Sequence, residues 1–216
     1  EGKTLAARTV RLAPGKSEHA VLAAPSGTGL ILDRYELAIH YEGRYESRSD
    51  RTTVFVRRLA EKPGVSTAKL YGYGSEVYVL ADDALEVTVD PLRGGRILEI
   101  YDRRTGCNQI TVPYDRLGGL HNIAFAYCIW DEVKAPHGFG IGRNAPYQVK
   151  VLPDGITLSA GAPGKLAVTK TLTLGGGGVL NLNVKLDNHS DRELACSWYM
   201  HPEYTVGGEA VSHSDL

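Results

Sequence analysis

The sequence predicts an all-β protein built as an antiparallel β-sandwich. Three observations carry that expectation. Apolar and polar residues alternate strictly over several short runs, the period of a strand with one covered face. Two such runs meet at four consecutive glycines, as the arms of a hairpin do. Glycine at 25 and proline at 10 of 216 residues supply many turns, and no segment carries a helical apolar stripe.

Taken in order, "VRLAPGKSEHAVLAAPSGTGLILDRYELAIHYEGRYESRSDRTTVFV" offers four to six short strands with Pro-Gly and Ser-Gly turns between them. Within it, "YELAIHYEG" sets Tyr35, Leu37, Ile39 and Tyr41 on one face, with Glu36, His40 and Glu42 on the other. The charged, Pro-Gly-bearing "LAEKPGVS" (59–66) marks a boundary. The expected organisation is a smaller N-terminal β-sandwich module over residues 1–62 and a larger β domain over 67–216. In the larger domain, strands are expected near 84–90, 96–101, 166–174 and 179–187. Leu85, Val87 and Val89 point inward in the first of these. In the hairpin "LAVTKTLTLGGGGVLNLNVKLDN", Leu166, Val168, Leu172 and Leu174 share one parity, which Leu180, Leu182, Val184 and Leu186 resume. Lys170 interrupts that apolar row, and the sequence offers no reason for it. The tail "EAVSHSDL" adds no closing strand, so the larger domain reads as incomplete at its C-terminus.

Charge and composition remove several functions. A formal net charge of −1 with mixed signs is not a nucleic-acid surface, which needs a basic excess. No run of eighteen apolar residues exists to span a membrane, and the start at Glu1 reads as an N-terminus processed or excised from a longer chain. Cys107, Cys128 and Cys196 lack metal-type spacing and read as small buried apolar residues. "GFGIG" and "YGYGS" are not dinucleotide loops, because no helix follows either. Three ligands on a tail, His201, Glu203 and His213, seldom make a metal centre. No metal and no cofactor are expected.

Three stretches carry a resemblance. "EVYVLADDALEVTVDPLRGGRILEIYDRRTG" has an alternating strand, the pair Gly94–Gly95 and a second apolar strand. "HGFGIGRNAPYQVKVLPDGITLSA" follows, then "KLDNHSDRELACSWYMHPEYTVGG". In this order they resemble the aldose 1-epimerase, or galactose mutarotase-like, family over residues 76–209. The resemblance implies a β-supersandwich that recognises a sugar or oligosaccharide. It implies that His137 and Arg143 contact sugar hydroxyls, although "GI" is inserted ahead of Arg143. It implies that His201 is the acid for the ring oxygen and that His137 and His201 approach one another across a sheet face. Imidazole suits proton transfer near neutral pH. Glu203, two residues on, shares a strand face with His201 and is expected to bind a hydroxyl. The family's base is a glutamate far downstream of the second histidine, and no residue here matches it. The chain alone is therefore expected not to interconvert anomers.

Each of these residues also has a plainer reading. His137 sits between glycines that serve turns, His201 precedes a proline that keeps a strand extended, and Arg143 is an ordinary surface charge. Tyr71, Tyr73, Tyr78, Trp130, Tyr147, Trp198 and Tyr204 are either sugar-stacking or packing aromatics. Three functions follow. The first is a carbohydrate-binding accessory part of a larger carbohydrate-active enzyme, outside the cytoplasm, completed by further domains or another chain. The second is an aldose 1-epimerase that lacks its base in this chain. The third is a structural β-sandwich interaction module.

Overall fold

The computed structural model describes residues 6–23, 30–44, 47–70, 74–110, 128–202, 204–206 and 209–210. The chain divides into two compact units, Glu1–Arg58 and Leu59–Leu216.

Among the described residues, the strands of the first unit form one long antiparallel hairpin, β1 (Leu30–Glu42) and β2 (Ser47–Arg57). Two long strands thus stand among the described residues where several short ones were expected. The Pro14–Gly15 turn does form, with Lys16 N–H donating to Ala13 at 3.1 Å. Its flanking residues stay exposed and unpaired in strands, because a turn without an apolar face beside it gains too little burial to hold a hairpin. Tyr35 and Leu37 are half-buried, but Ile39 and Tyr41 are exposed, so the apolar face read from "YELAIHYEG" is partly covered at its first end only.

The second unit is an antiparallel sandwich. One sheet runs β3 (Gly64–Leu70), β4 (Val77–Ala81), β5 (Leu85–Asp90), β6 (Arg96–Asp102) and β7 (Cys107–Asn108), in chain order. Next in the chain come β8 (Trp130–Lys134) and β9 (Gln148–Val151). The opposing sheet has the order β12 (Leu180–Asn188), β11 (Leu166–Leu174), β10 (Gly155–Gly161), β9. β8 pairs with β13 (Ser197–His201), and β14 (Thr205–Val206) pairs with β15 (Glu209–Ala210). The core lies between the sheets. It joins Val87, Val89 and Ile97 of one sheet to Ile156, Leu158, Val168 and Leu172 of the other, with Ile129, Val133 and Ile141 beside them. Each such side chain contributes about 1.5–3 kcal/mol on burial.

Two departures from simple alternation have local causes. β5 is buried on both faces: Glu86, Thr88 and Asp90 are as inaccessible as Val87. Their polar atoms are satisfied in place. Ala60 N–H donates to Glu86 at 2.7 Å, the Thr88 hydroxyl donates to Glu99 at 2.8 Å, and Leu92 N–H donates to Asp90 at 2.9 Å. On β6 the pairing slips between Thr88 and Val89, leaving Leu98 as an extra residue. That bulge lets the neighbours Ile97 and Leu98 both be buried.

Candidate functional site

The site begins with the parity of β8. Asp131 and Val133 point into the core and are buried, whereas Trp130, Glu132 and Lys134 face outward. β13 runs antiparallel beside it, with His201 opposite Trp130, Tyr199 opposite Glu132 and Ser197 opposite Lys134. On the other flank Ile141 pairs with Val133 through two backbone hydrogen bonds of 2.8 and 2.9 Å. β8 is therefore held between β13 and the end of the glycine-rich loop. Gly140 is needed for that approach, since a Cβ there would lie 2.6 Å from the Val133 carbonyl oxygen.

This arrangement brings two of the sequence-predicted residues to one indole. The His201 imidazole stacks beside Trp130, with ring centroids 5.1 Å apart and planes inclined by 24°. The Arg143 guanidinium carbon lies 5.4 Å from the Trp130 ring centroid. Further along the outward face, Lys134 sits 4.8 Å over the Tyr199 ring and pairs with Glu132 at 3.2 Å.

His137 is set apart from this group. It occupies a single 3-10 turn, Pro136–Gly138, beyond the Lys134 end of β8, and is exposed. His201 lies opposite the Trp130 end, so about 13 Å of strand separates the two levels at 3.3 Å per residue. The expected approach of the two histidines is not what the register produces. His137 also has left-handed backbone, φ 57°, a conformation that costs a non-glycine residue on the order of 1–3 kcal/mol. Glu203 and His213 lie outside the described residues, as do Tyr71 and Tyr73. The remaining aromatics separate by burial. Tyr147 is core, Tyr78 packs against it, and Trp198, at 37%, and Tyr204, at 55%, are exposed.

The glycine-rich loop is anchored by a buried arginine. Arg96 of β6 is 2% exposed. It donates through Nε to the Arg93 carbonyl at 2.9 Å, and through Nη2 to Asn144 Oδ1 at 2.6 Å and the Arg143 carbonyl at 3.3 Å. Gly94 N–H donates to Ala145 at 2.9 Å. Gly94 has φ +80°, and a Cβ on it would overlap the Arg143 carbonyl. The Gly-Gly turn and "GRN" thus lock together, which fixes the backbone from which Arg143 projects.

Beneath β8 lies a group that sequence reasoning missed. Lys170 is 2% exposed. Its ammonium donates to Asp131 Oδ1 in a short ion pair and to the Gly94 carbonyl at 2.7 Å, and it lies 4.4 Å from the Tyr147 ring centroid. The other carboxylate oxygen of Asp131 accepts the Trp198 indole N–H at 2.7 Å. Burial pushes the Lys170 ammonium pKa down, with the Asp131 charge and hydrogen bond pulling the other way. Burial, then the Asp131 charge, pushes the Tyr147 phenol up. The signal was present in the sequence as a lysine at a core position of β11; its partner was not. A cavity of about 10 Å³ lies against Gly95, Trp130, Asp131, Lys170 and Met200. That is at the lower limit for one water, so this cavity has no room for anything larger.

No protein-family model matches the chain, and no curated protein matches it. Among solved structures, a 4-alpha-glucanotransferase from Thermococcus litoralis is similar, at 16% sequence identity and a TM-score of 0.47. The match covers 62% of this chain and 28% of that one, so this chain spans less than a third of the enzyme's length.

Proposed function

We propose that Leu59–Leu216 is a carbohydrate-binding, galactose mutarotase-like domain that serves as an accessory part of a larger carbohydrate-active enzyme. The observation that carries this reading is the meeting of Arg143 and His201 at Trp130. The family resemblance implies that Arg143 contacts sugar hydroxyls and that His201 is the acid for the ring oxygen, and they come from segments far apart in the chain. Chemically the trio suits a sugar. The guanidinium presents several N–H donors in a rigid fork, and imidazole both donates and accepts. Trp130, which both of them contact, sets their spacing. His137, at the far end of β8, contacts a second unit of an oligosaccharide rather than the sugar held at His201.

The chain has two tryptophans, Trp130 in the trio and Trp198 on the adjoining strand, so tryptophan fluorescence, excited beyond the tyrosine absorption, reports on this region. Titration with glucose, galactose and their oligosaccharides is expected to give a saturable change. Arg143→Ala and His201→Ala are each expected to weaken binding about tenfold, the worth of one charge-assisted or well-placed hydrogen bond. Polarimetry on freshly dissolved glucose and galactose is expected to stay at the buffer rate. Absence of any saturable sugar response, by fluorescence and calorimetry alike, would leave the structural-module function in its place. A mutarotation rate that grows with protein and vanishes in His201→Ala would establish the epimerase instead.

A further inference from the structure

We infer that Asp131, which faces away from the proposed sugar site, is the positioning residue that sets it. The inference rests on the reading of the Arg143–Trp130–His201 trio only for what is being positioned; the linkage itself stands on geometry. β13 is poorly held by packing, since all five of its residues are exposed. Its backbone pairs with β8, and on its inward side the Trp198 indole N–H donates to Asp131 Oδ2 at 2.7 Å. Asp131 is in turn fixed by Lys170 of β11, which is itself held by the Gly94 carbonyl and lies against Tyr147. One carboxylate therefore joins three strands: its own β8, β11 of the opposing sheet, and β13.

The consequence for the site follows from alternation. Trp130 is the neighbour of Asp131 on β8, and His201 lies three residues beyond Trp198 on β13. Fixing Trp198 to Asp131 on the inward side fixes the strand whose outward side presents His201 to Trp130. The Lys170–Asp131 pair also reaches the Gly94 carbonyl, and Gly94 abuts the Arg143 carbonyl. The same buried pair thus bears on both flanks of Trp130. A buried ion pair is weak evidence for stability but well suited to defining one register, which is the role assigned to it here.

The test separates the acceptor function of Asp131 from its charge. In the full 216-residue chain, Asp131→Asn with Lys170→Met removes the ion pair and keeps a side-chain oxygen for Trp198. Asp131→Leu with Lys170→Met removes both. The expected result has two parts. The Asn/Met protein keeps the Trp198 indole N–H resonance near its wild-type position and binds sugar within about threefold of wild type. The Leu/Met protein shows that resonance moved upfield and binding weakened about tenfold. An indole resonance and a sugar affinity unchanged in a folded Leu/Met protein overturn the inference. Trp198→Phe, at a half-exposed position, covers the case in which a double variant fails to fold. It leaves Trp130 as the one tryptophan, whose quenching by the stacked imidazole is expected to change; unchanged quenching and unchanged affinity overturn the inference equally. The two readings fail separately. A wild-type chain that binds no sugar, yet whose Trp130 quenching changes in Trp198→Phe, loses the proposed function and keeps the positioning role. Sugar binding that is indifferent to every variant does the reverse.

Discussion

Replacing Lys170 by methionine should be among the most damaging single changes in the second unit. Methionine fills nearly the same volume, so packing around Leu158 and Tyr147 is conserved and the loss is electrostatic. The Asp131 carboxylate, 7% exposed, keeps the Trp198 indole N–H as a donor but loses its counter-charge, and the Gly94 carbonyl loses its ammonium donor. Breaking a buried pair by removing one partner costs about 3–5 kcal/mol. With a urea m-value of about 2 kcal/mol per molar, the unfolding midpoint falls by roughly 1.5–2.5 M. Asp131→Leu added to Lys170→Met should recover most of this, because no charge is then left stranded. The pH dependence adds a second readout. Between its lowered folded value and the free lysine value of 10.5, Lys170 is more protonated in the unfolded chain, so it makes stability rise with pH. Lys170→Met removes that slope. Tyr147, held protonated in the fold, acts in the opposite sense above about pH 10, so the comparison belongs below that. A midpoint within about 0.5 M of wild type in the single variant would refute the argument that this lysine neutralises a buried carboxylate.

The remaining predictions are shorter. Gly94→Ala combines left-handed strain with overlap of the Arg143 carbonyl and should cost about 2–4 kcal/mol, lowering the melting temperature by at least about 4 °C. Gly176→Ala shares the left-handed backbone, φ +75°, but meets nothing within 4 Å, so its loss should be nearer 1 kcal/mol; equal effects would show that the close approach is unimportant. Asp102 is held down to about 2 by its hydrogen bonds and ion pair with Arg104 at 2.8 Å. Its contribution is present above the ordinary carboxylate value of 3.8 and lost as pH falls through about 2. Asp102→Asn should therefore flatten the dependence of stability on pH between about 4 and 2, and an unaltered acid limb would count against the pair.

What the sequence determined by itself was the part written in local periodicity. Alternation predicted strands near 84–90, 96–101, 166–174 and 179–187; the strands found are Leu85–Asp90, Arg96–Asp102, Leu166–Leu174 and Leu180–Asn188. A covered face imposes a two-residue period on whatever sequence makes it, so a single strand reveals itself without its neighbours. Arg143 and His201 were legible as candidates because their motifs are short and contiguous. Only the tertiary structure decided the rest. Lys170 looked like a flaw in an apolar row until Asp131, on another strand, supplied the charge that makes its burial tolerable. Trp130 gained its contacts with Arg143 and His201 from the pairing of β8 with β13 and with Ile141, and the same pairing set His137 at the other end of the strand. Register between distant strands depends on which side chains meet across a core, and that is a property of pairs that no single segment carries.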